Sequence, residues 1–184
     1  MKKENTALYI LRLALTLLLI TGIMAGALAY VNDITADRIT ANKLAKTQRA
    51  LEVVLPGATG MTKTDNGSGI VQAVYTPEAS SAVQGWAVQV APKSGFAGEI
   101  VLMVGVGADK TVTGISVVTH AETPGLGAVA AAKTPAGEGF RESFLGLSGT
   151  VTVSDIDAIS GATITSKAVA EGVSAALAYL ETLG

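Results

Sequence analysis

Along the chain the spacing of apolar residues changes character several times, and each change marks a different element. Leu13 to Val31 reads "LALTLLLITGIMAGALAYV", about 19 residues without a charge, which is enough to cross a bilayer as a helix. Lys2, Lys3 and Arg12 precede it, and Tyr9 and Tyr30 stand where interfacial aromatics are expected. From Asn32 to Leu55 the apolar positions become spaced. Ile34, Ala41, Leu44, Leu51 and Leu55 mark one side of an amphipathic helix, ended by Pro56 and Gly57. "TKTDNGSG" (Thr62 to Gly69) is polar throughout and reads as a turn or loop. Runs rich in β-branched residues then predict strands over Ile70–Tyr75, Gly85–Ala91, Glu99–Val106 and Val112–Thr119. The last two are joined by "GADKT", a hairpin turn. A short helix is expected over Glu138–Leu145 and a longer one over Ser166–Leu180, where Val169, Val173, Leu177 and Leu180 share a face. Clustered strands with helices at both ends predict an α+β domain on a mostly antiparallel sheet. The chain thus divides into an N-terminal segment (1–12), a transmembrane helix (13–31), a stalk helix (32–55) and a domain (56–184).

The first apolar run admits a second reading. "AGALA" offers small residues to a signal peptidase. The run is long for a signal peptide, and helical sequence follows without a break, so an uncleaved anchor is the better reading. Charge does not settle orientation. Three basic residues precede the span, but Arg38, Lys43, Lys46 and Arg49 follow it closely.

Composition removes several classes of function. Of 184 residues none is cysteine, one is histidine, and the formal net charge is −2. That excludes disulfides, thiolate chemistry and cysteine-held clusters, and leaves little material for a His-based metal site or a Ser-His-Asp triad. With no basic block, nothing argues for nucleic-acid binding. Gly105-x-Gly107 lacks the third glycine and the following helix of a dinucleotide fingerprint. His120 follows a strand and reads as an ordinary surface or hydrogen-bonded residue.

Two segments resist a purely structural account. "HAETPGLG" (His120 to Gly127) has the residues of a tight loop, and its glycines allow backbone to approach another surface closely. "DAISGATITSKAV" (Asp157 to Val169) gathers Ser160, Thr163, Thr165 and Ser166 around the small pair Gly161-Ala162. Thr165 or Ser166 suits a helix N-cap. Thr163, preceded by Gly-Ala, is sterically open. A phosphate on it would lie near the first unpaired amides of the following helix, where negative charge is favoured. A phosphoester on Thr163 is therefore physically reasonable, whereas an unassisted threonine nucleophile is not.

"DAISGAT" resembles the D-x-x-(S/T)-G-A-T acceptor motif of the FMN-binding domain family, and "HAETPGLG" resembles that family's second hallmark. The order of anchor, stalk ending in "VLPG", "GFAGEI", "ETPGLG" and "SGATITSKAV" also matches, over nearly the whole chain. Within the family the likeness is to G subunits of Rnf-type electron-transport complexes, relatives of the C subunit of the Na+-translocating NADH:quinone reductase. The resemblance implies that Thr163 carries FMN through its phosphate, installed by a separate flavin transferase with FAD as donor. Asp157, Ser160, Gly161 and Ala162 would present that hydroxyl, and Glu122, Thr123, Gly125 and Leu126 would form the loop against the flavin. It further implies a cytoplasmic N-terminus, an extracytoplasmic flavin domain and partnership with the other subunits of such a membrane complex. The implied activity is electron relay within an ion-translocating ferredoxin:NAD+ oxidoreductase, not catalysis by the chain alone. Two other functions remain open at this point. One is a flavin domain serving another extracytoplasmic electron pathway; the other is a non-redox membrane-anchored binding or assembly protein.

Overall fold

The computed structural model describes Thr6–Leu183. The apolar run and the stalk form one helix, α1 (Thr6–Val54). No proline interrupts it, and it ends where Pro56 follows and Gly57 turns to φ +83°. Leu11, Leu17, Leu18 and Leu28 are all exposed, as expected of a helix whose solvent is lipid. The hydroxyls of Thr16 and Thr21 donate to the carbonyls of Leu13 and Leu17, each at 2.8 Å, so neither needs water inside an apolar span. α1 is long and apolar enough to cross a membrane once, which fits a single-pass membrane protein. The stripe expected along the stalk is buried only at its end. Leu51 and Leu55 are covered, together with Ala50 and Val54, while Ile34 and Leu44 are exposed.

Five strands follow as an antiparallel meander in sequence order: β1 (Thr62–Asp65), β2 (Val71–Thr76), β3 (Gly85–Val90), β4 (Val101–Gly107) and β5 (Val112–Thr119). β1 corrects the loop expected at "TKTDNGSG". It is a polar edge strand pairing Thr62 with Thr76 and Lys63 with Tyr75. With no buried face it carries no hydrophobic alternation to read. Its end is tied down by Tyr179, whose hydroxyl donates to Asp65 and holds that carboxyl below the usual carboxylate range. α2 (Pro135–Glu142) begins earlier than expected, because Thr134 accepts the Gly137 amide as N-cap and Pro135 takes the first helical position. α3 (Thr163–Leu183) begins three residues before the expected Ser166.

The sheet is covered on both faces. On one, Val88, Val90, Leu102, Val104 and Val106 pack against Val169, Val173 and Leu177 of α3. Phe140 and Phe144 meet edge to face nearby, with ring centroids 5.3 Å apart. On the other, Ala87 and Met103 receive the end of α1. The sheet reaches the backbone of the helix end there. Thr113 donates to the Val54 carbonyl at 2.7 Å, and a Cβ on Gly105 would stand 2.2 Å from that same oxygen. The glycine is what lets the stalk's last turn lie on the sheet. Gly105→Ala is expected to destabilise the domain by about 1–3 kcal/mol through overpacking against immobile backbone. Thermal or denaturant unfolding of the detergent-solubilised chain measures it, and an unchanged midpoint would refute the close approach.

Candidate functional site

Two turns face each other beside the start of α3. In Thr123–Leu126 the Leu126 amide donates to the Thr123 carbonyl at 3.2 Å, with Pro124 second and Gly125 third at φ +79°. In Ile159–Ala162 the Ala162 amide donates to the Ile159 carbonyl at 3.0 Å, with Gly161 third at φ +75°. Positive φ at the third position is the conformation that selects glycine there. The turns are close enough that a Cβ on Gly161 would stand 3.4 Å from Cδ2 of Leu126.

Ser166 donates its amide to the Ala162 carbonyl at 3.0 Å, so Ala162 occupies the capping position of α3. Alanine has no side-chain acceptor, and the first-turn amides of Thr163, Ile164 and Thr165 receive no cap from it. This corrects the expectation that Thr165 or Ser166 caps the helix. Both lie inside the first turn and are buried, and their hydroxyls are used elsewhere. Ser166 Oγ accepts the Ile159 amide and donates to the Ala162 carbonyl, each at 3.1 Å. Thr165 Oγ1 donates to Glu122 Oε2 at 2.6 Å. Residue type suggests a cap, but only the position of the first helical hydrogen bond decides which residue is one.

Glu122 is 6 % exposed. Besides Thr165 its carboxyl accepts the Ala97 amide at 3.1 Å through Oε1, so both oxygens are engaged. Its own amide donates to His120 Nδ1 at 3.2 Å, giving that histidine a structural partner. Gly127 packs directly on this pair. A Cβ there would lie 2.2 Å from Glu122 Oε2 and 2.4 Å from Thr165 Oγ1.

The result is a half-open cleft of about 260 Å³. Of the residues expected at the site, Glu122, Thr123, Leu126, Gly161, Ala162 and Thr163 line it. Gly125 shapes the neighbouring turn from outside the lining, while Asp157 and Ser160 lie outside it too, both exposed. Phe96, Gly127, Ile164 and Thr165 also line the cleft and are not among the site residues expected from sequence. Phe96 had a signal, as an aromatic in the glycine-flanked "GFAGEI". Ile164 had none, because one apolar residue in a helix pattern looks like core. Near Asp157, it is Asp155 whose carboxylate bonds locally, accepting from the Thr152 amide and hydroxyl at 2.8 and 2.7 Å, which holds it below the usual range.

Chemically the cleft has three parts. Phe96, Leu126 and Ile164 form an apolar rim, at 68 %, 46 % and 50 % exposure. The uncapped first turn of α3 offers amides to an anion. Thr163 is exposed at that turn, and its hydroxyl has no hydrogen-bond partner among the described residues. Glu122 is the one titratable group in the lining, and no cluster suited to a metal ion occurs among the described residues. A planar apolar ring system with a phosphate tail fits this arrangement.

Comparison with known proteins agrees with the geometry. Residues 95–178 match the FMN-binding domain family, and residues 1–54 match the RnfG N-terminal region. Fold and site thus define a membrane-helix protein with an FMN-binding domain. The G subunit of the Na+-translocating ferredoxin:NAD+ oxidoreductase complex of Acetobacterium woodii is 32 % identical, covering 95 % of this chain and 93 % of that one. The G subunit of the ion-translocating oxidoreductase complex of Methanosarcina acetivorans is 30 % identical over 93 % and 94 %. Its counterpart in Pseudomonas aeruginosa is 32 % identical over 93 % and 88 %. The chain belongs to the G-subunit family of Rnf-type ion-translocating oxidoreductase complexes.

The packing around Glu122 makes a signed prediction. Gly127→Ala should destabilise the domain by about 1–3 kcal/mol, because the new methyl displaces a buried hydrogen-bonded pair. Gly139→Ala, in α2 with nothing within 4 Å of its Cβ position, should instead stabilise by up to about 1 kcal/mol. Unfolding midpoints of both variants test this, and equal shifts would refute it.

Proposed function

We propose that this protein is the flavin-bearing, membrane-anchored subunit of an Rnf-type complex, holding FMN as a phosphoester on Thr163 and relaying electrons within an ion-translocating ferredoxin:NAD+ oxidoreductase. The observation that carries the reading is the setting of Thr163: an exposed hydroxyl on the uncapped first turn of α3, at the edge of an apolar-rimmed cleft. Attachment is a phosphoryl-type transfer from FAD on a separate flavin transferase. Thr163 Oγ bonds to the FMN-side phosphorus, the bridging P–O bond to AMP breaks, and AMP leaves with that electron pair. The hydroxyl proton goes to a base on the transferase, and nothing is oxidised or reduced. The chain itself supplies no free base in the cleft lining, which fits the need for an external enzyme. Asp157 and Ser160, on the approach to Thr163, are suited to being read by that transferase. The amides of the first turn would hold the phosphate, and Phe96, Leu126 and Ile164 would bear on the ring.

When bound, FMN supplies the one- and two-electron chemistry. The residues of the chain position it and limit access. With Glu122 engaged by Ala97 and Thr165, the cleft lining presents no spare acid or base to a substrate. That is the character of an electron carrier, not of a catalyst with its own substrate. In this reading α1 keeps the domain at the membrane, outside the cytoplasm, beside the other subunits of the complex.

Thr163→Ala, co-expressed with the transferase, should lose covalent flavin fluorescence in the denatured band while keeping the wild-type unfolding midpoint, since the side chain is exposed. Flavin still covalently attached to this variant, or mapped by peptide mass to Ser160, Thr165 or Ser166, would refute the assignment.

A further inference from the structure

Glu122 sits in the cleft lining, yet its carboxyl is turned to the protein. Three segments meet on it: the "GFAGE" loop through the Ala97 amide, the "ETPGLG" loop that carries it, and the first turn of α3 through the Thr165 hydroxyl. Thr165 stands two residues beyond Thr163 in the same turn. Because Ala162 offers no side-chain cap, this turn depends on other ties against fraying. Two are present, Ser166 with Ile159 and Ala162, and Thr165 with Glu122. Only the second is anchored outside the local segment, 43 residues away in sequence. Gly127 closes over it so tightly that a Cβ there would push the two oxygens apart.

We propose that Glu122 is a positioning residue for flavin attachment: through the Thr165 hydroxyl it fixes the first turn of α3, and so holds the Thr163 hydroxyl in the orientation that the transfer reaction uses. Glu122 acts through Thr165 and the backbone, not by contact with the flavin. The inference rests on the covalent reading above and deepens it. In-line attack on the FAD phosphorus depends steeply on where the attacking oxygen is held, so a loosened turn slows transfer before it melts the domain.

The test uses the full chain in detergent with purified flavin transferase and FAD, following covalent label by intact mass, with thermal unfolding of each variant in parallel. Thr165→Val and Glu122→Gln should each slow labelling roughly ten- to a hundredfold at temperatures where they remain folded. Thr165→Ser should rescue the rate by returning the hydroxyl. The double variant should be no slower than the slower single one, because both break the same tie. Wild-type labelling rates in folded Thr165→Val or Glu122→Gln would overturn the proposal. So would losses that merely track the unfolded fraction. A measurement on the wild type keeps the inference testable should the variants not fold. The Ser166 amide should exchange as slowly as that of Val169 in the flavin-free chain, and exchange at the rate of a frayed end would overturn it. A wild-type chain that takes no flavin, or takes it elsewhere, refutes the covalent reading and this role with it. A normal wild type with unaffected variants refutes the Glu122 role alone.

Discussion

A carboxyl group buried to 6 % exposure must find hydrogen-bond donors or destabilise the fold. For Glu122 the donors come from two places far apart in sequence, Ala97 and Thr165, and this requirement organises the site. It draws the loop after β3 and the loop after β5 to the start of α3. A Cβ at Gly127 would crowd both oxygens of the pair, so glycine there leaves room for it. The two turns with glycine at φ near +75 to +79° then follow as the way the chain enters and leaves this junction. The cleft is the space left between loops held by one carboxyl.

The sheet serves this junction as a rigid platform. A five-stranded meander has only short, local connections, so its order needs no crossover. Its two faces are committed to different partners, α3 on one and the last turns of α1 on the other. The apolar face of α3 locks that helix to the sheet while leaving its N-terminus projecting into the cleft. A helix end with alanine as its capping residue forgoes a cap, typically worth about 1 kcal/mol. Local stability is given up where an incoming phosphate could take the place of the missing cap.

Much of this was legible in the sequence, for reasons that particular residues make plain. Leu13–Val31 announces itself by length and lack of charge, and β3 to β5 by β-branched runs buried on the α3 face. Val169, Val173, Leu177 and Leu180 are all buried, as their spacing predicts. β1 was not legible, because an exposed polar edge strand is defined by its backbone partners and not by its side chains. The roles of Thr165 and Ser166 escape the sequence for a related reason. Their hydroxyl type suggests capping, but tertiary contacts to Glu122 and Ile159 decide what they bond. Phe96 and Ile164 join the site only because the fold brings "GFAGEI" beside "SGATIT". The motif resemblance singled out Thr163 and the "ETPGLG" loop, but it did not show that Glu122 ties that loop to the first turn of α3.

What Thr163 carries in the cell decides whether the cleft is a flavin site of the covalent kind. Intact mass and peptide mapping of the protein purified from its native membrane measure that directly. The expected result is a mass greater than that of the chain by one FMN less one water, with the whole increment on the peptide containing Thr163. A chain of unmodified mass, or an increment on a peptide without Thr163, would contradict it.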